Sequence, residues 1–206
     1  PNLYLGNNQL TSIPPEIGFL ADLQSLSIEG NNLSTIPQAI CYLEEFNSMS
    51  LSKDPGVICK TISEKDALIS IYSANPGNTL AWSVDSFPEM KFNTSGSPTV
   101  ITMNNKNLTR LPDNIDQLTA LKTLNVSQNS FGSIPSSLGN ISTLGVLTLH
   151  NTNISTVPSE LGQLTNLALL TLTDNPITSI PKSVCDLQTS KGGILTILTD
   201  SGEGCE

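Results

Sequence analysis

The sequence has little charge, few aromatic residues and almost no histidine. Of its 206 residues, 13% are Asp, Glu, Lys or Arg, 4% are Phe, Trp or Tyr, and one is histidine, whereas about 25% charged residues is usual. The net charge of −9 speaks against nucleic acid and anionic membrane surfaces as partners, because both require clustered Lys and Arg. No apolar run approaches the ~18 residues of a membrane-spanning helix, so membrane insertion is not expected.

Motifs for catalysis, cofactors and metals are also missing. His150 has no nucleophile motif beside it, and the glycine pair Gly192–Gly193 is not followed by the Lys-Ser/Thr of a phosphate loop. The four cysteines have no C-x-x-C spacing, which disfavours zinc. The acidic segments 53–56 and 200–203 have too few carboxylates for calcium and are typical of turns. We therefore expect no enzyme, no cofactor and no metal site.

What the sequence does contain is a short internal repeat. The segment Leu23–Pro37 fits the pattern L-x-x-L-x-L-x-x-N-x-L-x-x-I-P. A step of Ile, Leu or Val followed by proline recurs at one constant spacing in two runs, at Pro14 and Pro37 and then at Pro112, Pro135, Pro158 and Pro181. The asparagine of the pattern is kept as Asn8, Asn31, Asn129 and Asn175 and is replaced by Lys106 and Thr152. Such a fixed period is the mark of a repeat architecture.

This pattern resembles the leucine-rich-repeat family. The resemblance implies an α/β solenoid, in which each L-x-L core forms a short strand, alternate residues point inward, and the parallel strands line the concave face. A short amide suits the bonding of backbone groups where the chain leaves the strand, and proline fixes φ on the outer side. One coil cannot cover its own apolar side, so we expect stability to come from stacking on neighbours.

A longer period divides the chain into two tandem modules. Ile36–Cys41 matches Ile180–Cys185 at an offset of 144 residues, and residues 52–59 match 198–205 at an offset of 146, with the two extra residues assigned to Gly192–Gly193. We assign residues 1–60 to the C-terminal part of a first module and residues 100–206 to a second stack. Because Pro1 lies inside a repeat, the chain is expected to be part of something longer.

Residues 61–99 interrupt the repeat. Ser63 predicts the N-cap of a helix, and Asp66 stands at the third helical position, close to a capping box. Trp82 follows in an irregular stretch. The segment resembles the amino-terminal caps of plant-like and microbial secreted repeat proteins, although it lacks their cysteine pair. We therefore assign it as the helical N-terminal cap and linker of the second module.

The four cysteines allow three pairings. The duplication selects Cys41–Cys59 and Cys185–Cys205, because equivalent positions should pair alike. Each bridge would hold the last coil of a module, which would otherwise fray, and would stabilise the fold by roughly 3 kcal/mol through chain entropy. The alternative is that the cysteines are free buried thiols. Sequons mark five glycosylation candidates: Asn32, Asn93, Asn107, Asn140 and Asn153. Cysteines and sequons together predict an extracellular or cell-surface protein.

Because leucine-rich-repeat proteins bind partners on their parallel sheet, the resemblance implies that the exposed strand residues beside the core leucines form the binding surface. One column reads Tyr4, Ser27, Ser50, Thr102, Asn125, Thr148, Thr171 and Thr196, and the next reads Gly6, Glu29, Ser52, Asn104, Ser127, His150, Thr173 and Leu198. The binding candidates within them are Tyr4, Glu29, Thr102, Asn104, Asn125, Ser127, Thr148, His150, Thr171 and Thr173. Threonine also simply suits an exposed strand, and the columns are short of Trp and Arg, the usual hot-spot residues.

Three functions follow from this interpretation. The first is non-enzymatic extracellular recognition of a protein or glycan ligand on the concave face. The alternative is a structural building block of a fibre, wall or adhesin made of tandem capped modules, in which copies of the chain contact each other around residues 53–92. The third is ice binding through a threonine ladder with strands ~4.8 Å apart, formed by Thr102, Thr148, Thr171 and Thr196 and interrupted by Asn125.

Overall fold

The computed structural model describes residues 1–83, 85–190, 195–200 and 204–205. The chain divides into two compact units: unit 1 comprises Pro1–Gly77 and Trp82–Ser86, and unit 2 comprises Asn78–Ala81 and Phe87–Glu206. The expected solenoid of short parallel strands is confirmed in both. The proposed insertion at Gly192–Gly193 and residues 201–203 of the acidic turn lie outside the described residues.

The described residues of unit 1 form five strands, one 3₁₀ helix and two α-helices. In chain order they are β1 (Asn2–Tyr4), η1 (Pro15–Phe19), β2 (Ser25–Ser27), β3 (Thr35–Pro37), α1 (Gln38–Asn47), β4 (Ser50–Ser52), β5 (Ile58–Lys60) and α2 (Glu64–Ser73). Parallel pairing joins β1, β2 and β4 into one sheet and β3 with β5 into another.

Unit 2 repeats this plan over more coils. Its elements are β6 (Met90–Phe92), β7 (Pro98–Thr102), η2 (Asp113–Gln117), β8 (Thr123–Asn125), η3 (Ser136–Asn140), β9 (Val146–Thr148), η4 (Ser159–Gln163), β10 (Leu169–Thr171), β11 (Ser179–Ile180), α3 (Lys182–Ser190), β12 (Thr196–Leu198) and β13 (Gly204–Cys205). The main sheet has the order β12-β10-β9-β8-β7-β6, and only β6 is antiparallel to its neighbour. A second, two-stranded sheet pairs β11 with β13.

In each regular coil, the strand and the 3₁₀ helix contribute apolar side chains to the core from opposite sides. The central leucine of a strand and an apolar residue of the 3₁₀ helix meet in the core: Leu124, Leu147, Ile115 and Leu138 are all fully buried. The proline before each 3₁₀ helix has extended backbone angles and serves as its N-terminal flanking residue, as expected for a residue with a fixed φ. The repeat spacing therefore places equivalent apolar residues of successive coils next to each other in one continuous core.

Buried asparagine side chains link successive coils. The Asn129 side-chain amide donates to the carbonyls of Met103 and Val126 at 2.8 and 2.7 Å, and its Oδ1 accepts from the backbone N–H groups of Lys106 and Leu108, both at 3.0 Å. Asn31 and Asn175 make the same kinds of bonds. These bonds satisfy backbone groups that the turn would otherwise leave buried and unpaired.

A threonine takes this position in one coil without breaking the ladder. The Thr152 hydroxyl donates to the Leu149 carbonyl at 2.8 Å, and its backbone N–H donates to Asn175 Oδ1 at 2.9 Å. The hydroxyl thus replaces one of the two amide donors, while the asparagine of the following coil supplies the acceptor.

Disulfides and aspartates close the last coil of each unit. The predicted bridges are confirmed, with Cα–Cα distances of 6.2 Å for Cys41–Cys59 and 6.1 Å for Cys185–Cys205. Asp54 accepts the Gly30 backbone N–H at 2.8 Å, and Asp200 accepts the Asp174 N–H at 2.7 Å. These two carboxylates bond turn amides, so Asp54 and Asp200 each have a structural role in the coil.

Helix α2 packs within unit 1. Ser63 is confirmed as its N-cap, since the Ser63 hydroxyl accepts the Asp66 backbone N–H at 3.1 Å. The helix lies against η1 and α1, whereas the sequence pattern assigned it to the cap of the second module. The physical reason is an apolar surface on unit 1: a Cβ on Gly18 would lie 2.7 Å from Ile69 Cγ2, and the Phe19 and Tyr72 rings meet edge to face at 5.1 Å.

The side chain of Asp66 joins α2 to the start of α1. It is fully buried, and its two oxygens accept the backbone N–H groups of Ala39 at 3.0 Å, Gln38 at 3.2 Å and Ile62 at 3.0 Å. Pro37, which precedes α1, makes no side-chain cap of its own. Asp66 therefore satisfies donors that every helix start leaves open.

Candidate binding surface

The main sheet of unit 2 presents two outward columns of side chains. Strands β7, β8, β9, β10 and β12 pair in register. The central residues of the first four strands are fully buried in the core, and Ile197 of β12 is half-buried. Because neighbours of an inward residue point outward, each strand contributes one side chain to each column. The aliphatic column consists of Val100, Thr123, Val146, Leu169 and Thr196, and the threonine column consists of Thr102, Asn125, Thr148, Thr171 and Leu198.

The predicted columns are wrong in the last strand of each unit. Thr171 pairs with Leu198 and not with Thr196, and Ser27 pairs with Ser52 and not with Ser50. The reason is that the last coil of each unit contains an α-helix and is longer than the regular coils, which shifts the phase. The ice-binding hypothesis loses Thr196, because the threonine column ends at Leu198.

The sequence pattern did not reveal the aliphatic column. Val100, Val146 and Leu169 are half-buried, and Leu198 of the other column is 45% exposed. The aliphatic column could have been found from the residue that precedes the central residue of each strand. This preceding residue is Val or Leu in three of the five strands. The face is thus more apolar than the threonines alone indicated.

The predicted binding residues differ in accessibility. In unit 1, Tyr4 is 72% exposed, and Glu29 is exposed and accepts a hydrogen bond from Ser52 Oγ. In unit 2, Thr102 and Asn104 are exposed, whereas Asn125, Thr148, His150 and Thr173 are half-buried. Ser127 and Thr171 are 8% and 9% exposed, so these two present little surface to a ligand.

The only histidine is tied to the neighbouring coil. His150 Nδ1 lies 3.0 Å from Thr173 Oγ1 and 3.1 Å from Asp174 Oδ2. A hydrolytic triad needs the nucleophile and the carboxylate on opposite ring nitrogens, but here both oxygens face the same nitrogen. The arrangement therefore joins two coils and does not form a nucleophile–base pair.

A cavity of about 460 Å³ lies at the β6–β7 end of this sheet. The Glu89–Lys106 ion pair, with Oε1 and Nζ 2.7 Å apart, forms part of its wall. Val100, Thr102 and Asn104 connect it to the outward columns, and the full lining is Pro88, Glu89, Met90, Lys91, Val100, Thr102, Asn104 and Lys106. Sequence reasoning identified Thr102 and Asn104 but not the cavity, because β6 reaches this place by an antiparallel pairing that has no repeat signal.

The five glycosylation candidates are all exposed, although some side chains already make hydrogen bonds. Asn93 Oδ1 accepts the backbone N–H groups of Ser95 and Ser97, and the Asn140 amide donates to Asp116 Oδ2 at 3.1 Å. Within the described ranges, no helix is long and apolar enough to cross a bilayer, and no group of three His, Cys, Asp or Glu side chains forms a metal site.

Family profiles described as leucine rich repeat match residues 2–55 and 120–141. No curated protein matches the chain. Among solved structures, a leucine-rich-repeat protein of Leptospira interrogans is 24% identical, with a TM-score of 0.43, over 98% of this chain and 49% of its own. The ectodomain of the Arabidopsis thaliana receptor kinase SOBIR1 is 20% identical, with a TM-score of 0.46, over 70% of this chain and 97% of its own.

A third similar structure is the ectodomain of the Arabidopsis thaliana receptor kinase GASSHO1/SCHENGEN3 in complex with CASPARIAN STRIP INTEGRITY FACTOR 2. It is 24% identical, with a TM-score of 0.42, over 99% of this chain and 18% of its own. The chain thus spans about half of the Leptospira protein and under a fifth of this receptor. The profile matches identify leucine-rich repeats in residues 2–55 of unit 1 and 120–141 of unit 2, and asparagine-linked coils occur in both of these stretches.

Proposed function

We propose that the chain is a non-enzymatic recognition module that binds an extended polypeptide segment of a partner protein on the main sheet of unit 2. The observation that supports this is the presence of two columns on five parallel strands: the aliphatic column has three Val or Leu residues and two threonines, and the threonine column has three threonines, Asn125 and Leu198. A polypeptide offers both apolar side chains and backbone polar groups, so it matches both columns at once.

The apolar part supplies the driving force. Covering half-exposed Val146, Leu169 and Leu198 removes apolar surface from water at about 25 cal/mol per Å². The cavity beside Val100 accepts one anchoring side chain, as binding hot spots usually do. The absence of Trp and Arg from the two columns argues for modest affinity.

Binding fits this surface better than catalysis does. The hydroxyls of the threonine column have no general base in the column itself, and His150 bonds Thr173 and Asp174 through one nitrogen. An extracellular or cell-surface setting is part of the proposal. Its support is a disulfide at the end of each unit, since such bonds persist in oxidising compartments.

Selection from a displayed peptide library tests the proposal without a known partner. Peptides enriched on the parent chain should bind the Val146→Glu/Leu169→Glu variant at least tenfold more weakly, because two charges replace apolar contacts at the centre of the face. Ser25→Glu/Ser27→Glu, at outward positions of β2 in unit 1, is the matched control and should bind like the parent.

Circular dichroism verifies that both variants fold. The proposal that the main sheet of unit 2 binds a polypeptide would be rejected if no peptide were enriched. It would also be rejected if the Val146→Glu/Leu169→Glu variant bound the enriched peptides as tightly as the parent chain. Charged replacements of Thr148, His150 and Thr171 extend the test to the threonine column and its neighbour.

A structural role is the second candidate, and the docking of α2 on unit 1 favours it. A helix that lies outside the repeats and seals an apolar coil surface is suited to a chain of tandem capped modules. Under this proposal copies of the chain contact each other, and electron microscopy of the native material should show a periodic assembly. Isolated single chains in that material would contradict it.

A further inference from the structure

The turns that follow β7, β8 and β9 form a row of amide side chains in the left-handed backbone region, and the turn after β10 has Asp174 at the equivalent position. Asn105, Gln128 and Asn151 occupy the same position in three successive coils, with φ of 54°, 58° and 50°. Each donates its backbone N–H to a carbonyl of the following coil, at 2.9–3.0 Å. Glycine adopts this conformation most readily, and unit 1 has Gly30 at such a position, with φ of 69°.

The side chains at these positions call for an explanation beyond turn chemistry. Asparagine is tolerated in the left-handed region because its short side chain bonds locally, but glutamine is not among the residues enriched there. No described protein group hydrogen-bonds the side-chain amides of Asn105, Gln128 or Asn151, and all three are exposed. A non-glycine residue kept in such a conformation points to a use for its side chain.

These residues line an open groove of about 390 Å³. Its walls are Asn105, Asn107, Gln128, Asn129, Ser130 and Asn151, which are all amides or hydroxyls. Asn129 is held rigidly by its bonds to Met103 and Val126, so the floor is fixed while the rim amides are available. The groove runs across successive coils, about 4.8 Å apart where their strands pair, close to the length of one sugar ring.

We propose that this amide groove binds a neutral polysaccharide chain. An amide offers donors and an acceptor together, which is what neighbouring sugar hydroxyls require. The lining has no formal charge to hold an ion or a phosphate and no apolar side chain to anchor a peptide. Because each bond replaces one with water, the affinity should be weak, with dissociation constants near millimolar.

Nuclear magnetic resonance tests the proposal with three neutral probes: cellohexaose, laminarihexaose and mannohexaose. The chain is produced in a bacterial host, so that the sequon at Asn107 is unglycosylated. At least one probe should shift the side-chain amide signals of Asn105, Gln128 and Asn151. Polygalacturonate serves as the anionic comparison and should bind at least tenfold more weakly than that neutral probe.

Glycine replacements separate binding from structure. The variant Asn105→Gly/Gln128→Gly/Asn151→Gly keeps the preferred residue for this backbone, so its thermal midpoint should stay close to that of the parent, while affinity falls at least tenfold. Asn7→Gly makes the same change in unit 1, where φ is 55°, and should leave binding unchanged. The proposal is overturned if no probe shifts the three amides, if the triple variant binds as well as the parent, or if polygalacturonate binds equally well. Peptide binding to the main sheet is measured separately, so either proposal can fail alone.

Discussion

The outer surface of unit 1, formed by η1 and α1, is covered by α2, whereas among the described residues no helix covers the corresponding surface of unit 2, formed by η4 and α3. The two surfaces align at the offset that relates Ile36–Cys41 to Ile180–Cys185. Small residues at the coil contact are shared: Gly18 corresponds to Gly162, and a Cβ on Gly162 would lie 2.7 Å from Ser183 Cβ. The coil geometry therefore does not explain the difference.

The side chains that meet α2 do explain it. Phe19, which stacks on Tyr72, corresponds to Gln163, and Ala39, beside Ile69, corresponds to Ser183. The same backbone thus becomes a docking surface or a solvent-facing one according to a few side chains. Apolar side chains gain free energy when a helix covers them, and polar ones lose hydrogen bonds with water.

The largest expected effect comes from removing Asp66. Asp66→Ala leaves three backbone N–H groups without their buried acceptor, so the free energy of unfolding of unit 1 should fall by about 3 kcal/mol. Asp66→Asn keeps one oxygen and should cost less. Urea unfolding followed by fluorescence measures this selectively, because Trp82 is the only tryptophan and is buried in unit 1.

Asp186→Ala on α3 is the matched control. Its ion pair with Lys182 is exposed, so a change below about 0.5 kcal/mol is expected in unit 2, measured by circular dichroism. Equal losses from Asp66→Ala and Asp186→Ala would remove the distinction between the two outer surfaces.

An intermediate effect is expected from exchanging the residues that distinguish the surfaces. Phe19→Gln should remove the edge contact with Tyr72 and weaken α2 docking by about 1.5 kcal/mol. Hydrogen exchange in α2 should then be about tenfold faster. The reverse change, Gln163→Phe, should leave the stability of unit 2 nearly unchanged, since no described helix lies there to contact the ring. Unchanged exchange in Phe19→Gln would show that α2 does not depend on this apolar contact.

The smallest expected effect concerns the ion pair between Glu16 and Lys65, with Oε1 and Nζ 2.7 Å apart. The hydrogen bond from Lys65 lowers the pKa of Glu16 below 4.5, with burial acting in the opposite direction. A lowered folded-state pKa stabilises the fold above pH 4.5, and this contribution is lost as the pH falls through the folded pKa. Both side chains are partly exposed, so Glu16→Gln should cost only a few tenths of a kcal/mol at pH 7.

Urea titrations at several pH values check this sign. The difference between parent and Glu16→Gln should shrink towards pH 3. The corresponding Glu160 of unit 2 accepts a hydrogen bond from Ser159 and pairs with no lysine among the described residues, so Glu160→Gln is the matched control that removes no ion pair. A difference that grows at low pH would contradict the assigned sign.

Much of the coil was predictable, because its determinants are local and periodic. The regular spacing identified the core leucines, the prolines and the asparagines, and the duplication identified both disulfides. The threonine column was predictable only up to the last regular coil, and the aliphatic column was not predicted. Beyond the last regular coil, the α-helix in the final coil changed the number of residues per turn, and Leu198 took the place predicted for Thr196.

The sequence by itself determined the solenoid, because apolar residues at a fixed period can be buried together only by stacking coils. Tertiary structure decided where α2 packs, which oxygen acceptor completes the start of α1, and which side chains line the cavity beside β6. These features depend on residues that are distant in sequence and follow no period. Their partners are therefore fixed by shape and hydrogen-bonding requirements that exist only once the coils have formed.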